Sequence, residues 1–402
     1  MLLNNLISFS KKKPDKIAFV SENKTYTFEQ ALVRIQNIAS FLRDKGCKKK
    51  NKIIIYAENS IEWIFLYFAI QYIQSIPIIL GKYLPKKKIN NILIENNIKF
   101  FISDKKMKSF LLRNVINITT DEIRKIEFES KKIENYKKTS NSYISEIIFT
   151  SGSTSEPKGV ILTKKNSLFI AKQINNFVKV SNKDRELLLL PLSHSFGLGR
   201  LKSQLIAGNT MIVLKDLSNF GKLLLAIKKY KVTGFGAVPS IIEILKKIDS
   251  SYIKDIKKNI KFIELGSEEI NHETINWLLK NFPNARVCHH YGMTEASRAI
   301  FIKYNKSNLK NNLIGKKSLY SKITIINNKK KVCKNNEIGE IVIKGPFVMK
   351  NYLSKTNDKK PFISQGFLTG DFGYKDKKGN YFLIGRKDSL VKINGINVSL
   401  IE

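Results

Sequence analysis

The sequence predicts an α/β fold with largely parallel sheets and a smaller β-rich subdomain. Short apolar runs recur between stretches of helical periodicity, the pattern of strands joined by helical crossovers. One of those runs ends in a loop of hydroxyl residues and glycine. From about residue 314 the helical stretches give way to short strands and turns.

Taken in chain order, Thr25, Tyr26, Thr27 and Phe28 precede apolar residues at helical spacing from Leu32 to Leu42, with Gly46 beyond. This reads as a capped amphipathic helix with a glycine stop. An apolar run over 52–56 then ends at Glu58, Asn59 and Ser60, giving strand, loop and helix. Residues 61–80, IEWIFLYFAIQYIQSIPIIL, have the length of a membrane span. Glu62, Gln71 and Gln74 interrupt them and Pro77 marks a break, so a buried helix running into a buried strand is the reading. Further strands are expected at 99–103, 146–150, 187–190, 210–214, 234–237, 262–265 and 286–290. In the β-rich part they are expected at 322–326 and 339–344, followed by a hairpin whose turn is Asp376 to Gly379.

With 402 residues, of which 43% are hydrophobic, the chain can bury a large core. The net charge of +38 raises a nucleic-acid reading. Pattern argues against it. The excess is almost all lysine (nine arginines among 71 Lys+Arg), spread over the whole chain with abundant Asn and Ile, as an A/T-rich genome would produce. Clusters such as Lys11–Lys13 and Lys329–Lys331 then read as solvated loops and helix ends. Three cysteines, Cys47, Cys288 and Cys333, show no CxxC spacing, so neither a disulfide framework nor a zinc knuckle is expected, and the cytoplasm is the expected location. The N-terminal MLLNNLISFSKKK is too short in its apolar run for a secretory signal.

Residues 147–163, IIFTSGSTSEPKGVILT, are the most informative stretch. Gly152 and Gly159 let backbone approach a ligand closely, Ser151, Ser153 and Thr154 offer hydroxyls, and Lys158 supplies a mobile positive charge. That composition suits phosphate. It is not a Walker A loop, which places glycine directly before the lysine and Ser/Thr directly after it.

SGSTSEPKG resembles the phosphate-loop signature of the adenylate-forming (AMP-binding) superfamily, which includes acyl- and aryl-CoA synthetases. Other segments resemble that family's motifs in order: Asn59, Ser60, Glu62 and Trp63; Pro191 to Gly197; Gly266, Ser267 and Glu268; Tyr291 to Glu295 (YGMTE); Thr369, Gly370 and Asp371; and a hinge at 385–388 ending in Asp388. Ser155 stands where the family usually has glycine, a change expected to stiffen the loop. The resemblance implies a large N-terminal domain over 1–384, built of two α/β subdomains plus the β-rich subdomain at about 314–384.

It also implies ATP-dependent activation of a carboxylic acid to an acyl-adenylate, with transfer to CoA or a carrier-protein phosphopantetheine. Lys158 and the hydroxyls of Ser151, Ser153 and Thr154 would hold the β- and γ-phosphates, with Gly152 in the same loop, and Thr294 would bond the α-phosphate. Glu295 would bind Mg²⁺, or serve as a helix-start carboxylate. Gly266, Ser267 and Glu268 would contact adenine. Tyr291 would pack on that ring, or within the core. Asp371 would accept from the ribose hydroxyls and Arg386 would donate to the same ribose. His194, Ser195, Val238 and Pro239 would line the acid pocket, His194 being otherwise an ordinary half-buried histidine. Ser195 stands near where amino-acid-activating relatives carry an acidic residue, which points to an acyl or aryl acid without an amino group.

After the hinge only 389–402 remain, expected to be the first strands of a small C-terminal α+β domain. The family's adenylating lysine lies in the later part of that domain. The chain is therefore expected to bind ATP yet adenylate poorly unless a separately encoded C-terminal domain complements it, since one preorganised donor is worth about 100- to 1000-fold in rate. A catalytically incomplete nucleotide-binding protein and a basic nucleic-acid binder are the competing readings, the latter marked by strong salt dependence. No GxSxG elbow, GxGxxG after a strand, or His/Cys metal cluster offers a rival chemistry.

Overall fold

In the computed structural model, residues 2–22, 24–107, 114–127, 136, 139–150, 157–214, 220–248, 250–353, 361–387, 390–393 and 396–399 are described. The chain divides into two units. One holds Met1–Asn175, Val180–Gly236 and Met349–Ser354; the other holds Asn176–Lys179, Ala237–Val348 and Lys355–Glu402.

The first unit contains a seven-stranded sheet in the order Asn351–Tyr352, Lys158–Thr163, Ile144–Thr150, Ile76–Ile79, Lys52–Tyr56, Phe100–Ser103, Ile116–Thr119. Pairing is parallel from Ile144–Thr150 onward and antiparallel at the other end. KIIIY and IPII are buried along almost their whole length, which is why these strands read as continuous apolar runs instead of alternating ones. Pro77 does not break its strand. The amides of Ile76 and Leu80 donate to Asn51 and Ile55 on one side, whereas the ladder on the other side begins only at Ile78. The donor that proline lacks is therefore not needed at residue 77.

The helix Phe28–Asp44 opens as expected: Thr27 and Gln30 form a reciprocal capping box, and Gly46 follows with φ of 88°. The stretch of membrane-span length becomes the helix Ile61–Tyr72, buried nearly all round, and the strand Ile76–Ile79. Among the described residues no helix is long and apolar enough to cross a membrane. A second sheet of this unit runs in the order Gly234–Ala237, Arg185–Leu188, Thr210–Val213, Ile17–Ser21, Lys24–Thr27, parallel except for the last pair.

In the second unit, strands follow in the order Phe262–Leu265, Arg286–Met293, Ala296–Lys303, Leu313–Lys317, Tyr381–Arg386, Gly366–Lys375, Gly339–Lys344, Lys322–Ile326. The first pair is parallel and the others antiparallel. From about residue 314 the strands are antiparallel, with Leu313–Lys317 pairing with Tyr381–Arg386 and Lys322–Ile326 at the opposite edge. In their last hairpin Asp376 accepts from the Asn380 amide at 2.8 Å and Gly379 takes φ of 77°. Leu390–Ile393 and Ile396–Ser399 form a separate antiparallel pair.

Candidate active site

The predicted nucleotide-facing residues of the second unit sit on three neighbouring pieces of its sheet. The strand expected at 286–290 continues through the YGMTE segment to Met293, and Met293 pairs with Ala296. Thr294 and Glu295 are therefore the two turn residues of a β-hairpin, half-buried at its tip. The helix-start alternative for Glu295 does not apply, because a strand follows it.

Tyr291 lies three residues before that turn. Its phenol donates to Asp371 Oδ2 at 2.6 Å. Arg386 Nε lies 3.6 Å from Asp371 Oδ1, with Asp371 and Arg386 directly opposite each other on paired strands. Asp371 is almost entirely buried while Arg386 reaches solvent. Burial raises the Asp371 carboxyl, against the Tyr291 hydrogen bond and the Arg386 charge that favour its ionised form. Burial and then the Asp371 charge hold the Tyr291 phenol well above its ordinary value, so it remains a donor. The TGD segment lies inside the strand Gly366–Lys375, at a bulge where its register against Gly339–Lys344 shifts. Thr369 Oγ1 accepts from the Asp371 amide at 3.0 Å and donates to the Ile341 carbonyl at 2.8 Å, while the Gly370 amide donates to Glu340 Oε1 at 3.1 Å.

Gly266, Ser267 and Glu268 leave the end of the strand Phe262–Leu265. Gly266 is buried, and a Cβ there would come within 2.2 Å of His290 Cε1. Ser267 is exposed and takes φ of 76°, a left-handed conformation that a serine adopts at a cost. Beneath this turn lies a buried charged cluster. Glu264 Oε1 is 3.0 Å from His290 Nδ1 and 3.2 Å from Arg298 Nε, and Glu264 and Arg298 are both fully buried. Beside it, His289 Nδ1 is 2.9 Å from the Tyr304 hydroxyl, and its ring also bonds the Glu268 backbone. Glu264, His289, His290 and Arg298 were not among the predicted site residues. The one sequence signal was an acidic residue inside the apolar run FIEL. Val238 and Pro239 stand on a different element, as cap and first residue of the helix Pro239–Lys246.

In the first unit, Lys158 begins the strand Lys158–Thr163 opposite Thr150, its ammonium 5.6 Å from the ring centroid of Tyr352. Gly159 lets that strand pack closely, since a Cβ there would lie 3.0 Å from both Leu353 Cβ and the Phe149 ring. Ser151, Gly152, Ser153 and Thr154, and the hinge residue Asp388, lie outside the described residues. His194 is the N-cap residue of the helix Ser195–Ala207, its exposed ring 5.7 Å from Tyr83, and Ser195 begins the helix. Asn59 clamps the approach to that helix. Its amide donates to the Leu190 carbonyl and its carbonyl accepts from the Leu192 amide, both at 2.8 Å. Gly197 faces Pro191, whose carbonyl oxygen would be 2.3 Å from a Cβ. A separate groove of about 410 Å³, lined by Lys322, Lys344, Lys375 and Tyr381 among others, contains none of the predicted site residues.

Among the described residues no group of three or more His, Cys, Asp or Glu side chains could hold a metal ion by itself. A cation bound by one carboxylate together with phosphate oxygens is the chemistry that a single carboxylate in a turn, such as Glu295, can support.

The sequence pattern described as AMP-binding enzyme matches residues 8–353. The 2-succinylbenzoate-CoA ligase of Bacillus subtilis is 27% identical over 398 residues, which cover 98% of this chain and 80% of that protein. The D-alanine-D-alanyl carrier protein ligase of Bacillus licheniformis is 25% identical, covering 100% of this chain and 82% of that protein. Among solved structures, o-succinylbenzoate CoA synthetase from Bacillus subtilis with its acyl-adenylate intermediate matches with a TM-score of 0.88 at 26% identity, over 98% of this chain and 80% of that one. The same enzyme with ATP and magnesium ion matches with a TM-score of 0.88 at 26% identity, over 98% and 82%.

Proposed function

The chain belongs to the AMP-binding enzyme family, and from that premise we propose that it joins a carboxylic acid to AMP and passes the acyl group to a thiol of CoA or a carrier-protein phosphopantetheine. The observation that carries this reading is the Tyr291–Asp371–Arg386 cluster, with contacts of 2.6 and 3.6 Å, on the same sheet as the YGMTE hairpin. A nearly buried carboxyl group braced by a phenol and flanked by a solvent-reaching guanidinium is suited to a ribose diol.

In the first half-reaction a carboxylate oxygen attacks the α-phosphorus of ATP, the bond to pyrophosphate breaks, and a mixed anhydride forms. In the second, a thiol attacks the acyl carbon, AMP leaves, and the thiol proton passes to solvent. Both reacting partners of the first step are anions, so charge neutralisation and alignment dominate over acid-base chemistry. Lys158, Ser151, Gly152, Ser153 and Thr154 hold the β- and γ-phosphates, and Thr294 bonds the α-phosphate. Glu295 holds Mg²⁺, which supplies neutralising charge on the phosphates when bound. Tyr291, Gly266, Ser267 and Glu268 contact adenine, and Asp371 and Arg386 take the ribose.

His194, Ser195, Val238 and Pro239 line the pocket for the acid. Ser195, in place of an acidic residue, favours an aryl or other acyl acid over an amino acid. Pyrophosphate exchange into ATP, measured with MgATP and a panel of aryl, fatty and amino acids, tests the reading. Saturable MgATP binding is expected, with exchange faster for an aryl or acyl acid than for an amino acid. No exchange with any acid, together with no saturable binding of MgATP, would end it.

A further inference from the structure

The helix Ser195–Ala207 carries two cations inside the first unit: Arg200 is 1% and Lys202 2% exposed. Two residues apart on a helix, they point to roughly opposite sides. Arg200 grips Glu186, on the strand Arg185–Leu188, with Nε 2.5 Å from Oε1 and Nη2 2.8 Å from Oε2. Lys202 Nζ lies 2.5 Å from Oε1 of Glu146, on the strand Ile144–Thr150. Glu146 also accepts from Ser167 Oγ at 2.7 Å and from the Tyr67 hydroxyl at 3.1 Å. The two carboxylates belong to the two different sheets of this unit, so the helix is tied by charge on both faces.

Neither pair is needed to fill space. Taking two charges out of water costs several kcal/mol per ion, and well-packed apolar residues of similar volume hold such a position at least as firmly. What an ion pair adds is direction, because a shift along the helix axis breaks its hydrogen bond whereas an apolar contact tolerates it. The ends of the braced elements matter here. The helix begins at His194 and Ser195, and the strand bearing Glu146 pairs with the one that begins at Lys158.

We propose that Lys202 is a positioning residue: its bond to Glu146 sets where the helix carrying His194 and Ser195 lies along the strand pair carrying Lys158. The acid-facing and phosphate-facing motifs of this unit thereby keep a fixed spacing. The inference rests on the proposed function, in which Lys158 holds phosphates that ATP has and AMP lacks.

The experiment measures binding of MgATP and of AMP by calorimetry, with thermal unfolding alongside. Wild-type protein that binds neither nucleotide would sink the nucleotide reading itself. Given wild-type binding, the double variant Lys202→Met with Glu146→Gln removes both charges and keeps the volume. It is expected to unfold within about 3 °C of wild type and to bind MgATP about tenfold more weakly, while AMP affinity stays within about twofold. Lys202→Arg keeps a cation opposite Glu146 and is expected to bind MgATP as wild type does. A double variant with unchanged MgATP affinity overturns the proposal, as does one that loses MgATP and AMP equally alongside a lower unfolding temperature.

Discussion

Acidification should weaken the second unit through one imidazole. Burial, with the neighbouring His290 adding to it, pushes His289 down to about 4 from 6.5. The folded protein thus holds this ring neutral where the unfolded chain protonates it. Because the folded value is the lower one, the contribution to stability is complete above pH 6.5 and is lost as pH falls toward 4. At about 1.4 kcal/mol per pH unit, that interval amounts to about 3 kcal/mol. His289→Gln cannot titrate and keeps a donor and an acceptor for Tyr304 and the Glu268 backbone. Urea unfolding should therefore show wild type losing about 3 kcal/mol more than the variant between about pH 7 and about pH 4. The same ring bonds the turn that carries Gly266, Ser267 and Glu268, so AMP affinity should fall over that interval in wild type more than in the variant. Parallel stability profiles for the two proteins would refute the reasoning.

Three further substitutions probe the site. Gly266→Ala places a Cβ against the His290 ring, which is held in turn by Glu264. It should cost about 1–3 kcal/mol in urea unfolding and weaken AMP binding; an unchanged midpoint would show that the ring yields freely. Asn59→Ala deletes both hydrogen bonds to the segment from Leu190 to Leu192 and should destabilise by about 1–3 kcal/mol, a loss absent if water replaces the amide without penalty. Asp371→Asn should weaken AMP about 10- to 100-fold in calorimetry, the worth of a charge-assisted hydrogen bond, and full AMP affinity in that variant would remove the ribose assignment.

The buried parallel strands were legible because both of their faces are covered. KIIIY and FIEL show in the sequence as short runs dominated by apolar residues, and they end where expected. The hairpin Ile17–Ser21 and Lys24–Thr27 left no such signal, since its second strand, KTYT, is exposed or half-exposed and no glycine stands between the two strands in the sequence. The strand reaching Met293 shows in the sequence only as far as 290, because Gly292, Thr294 and Glu295 interrupt the apolar run. Its ladder to the next strand nonetheless continues past Tyr291 with a shift in register.

The candidate site divides along a similar line. Residues proposed to touch ligand lie in short polar runs that interrupt apolar ones, and such runs stand out locally. The charges that brace them do not. Glu264 and Arg298 are 34 residues apart, and Glu146 and Lys202 are 56 apart. On its own, each looks like a charge on a solvated face, in a chain where lysine is everywhere. FGLGRLKSQL shows the difficulty most sharply: an arginine and a lysine two positions apart read as one polar side, yet they point to opposite sides of a helix enclosed by two sheets. Only the placement of Glu146 and Glu186 on those sheets makes both cations interior, and that pairing is long-range by nature. A single cation in an apolar helix is informative only together with its distant partner, so the bracing behind this site had to be found in three dimensions.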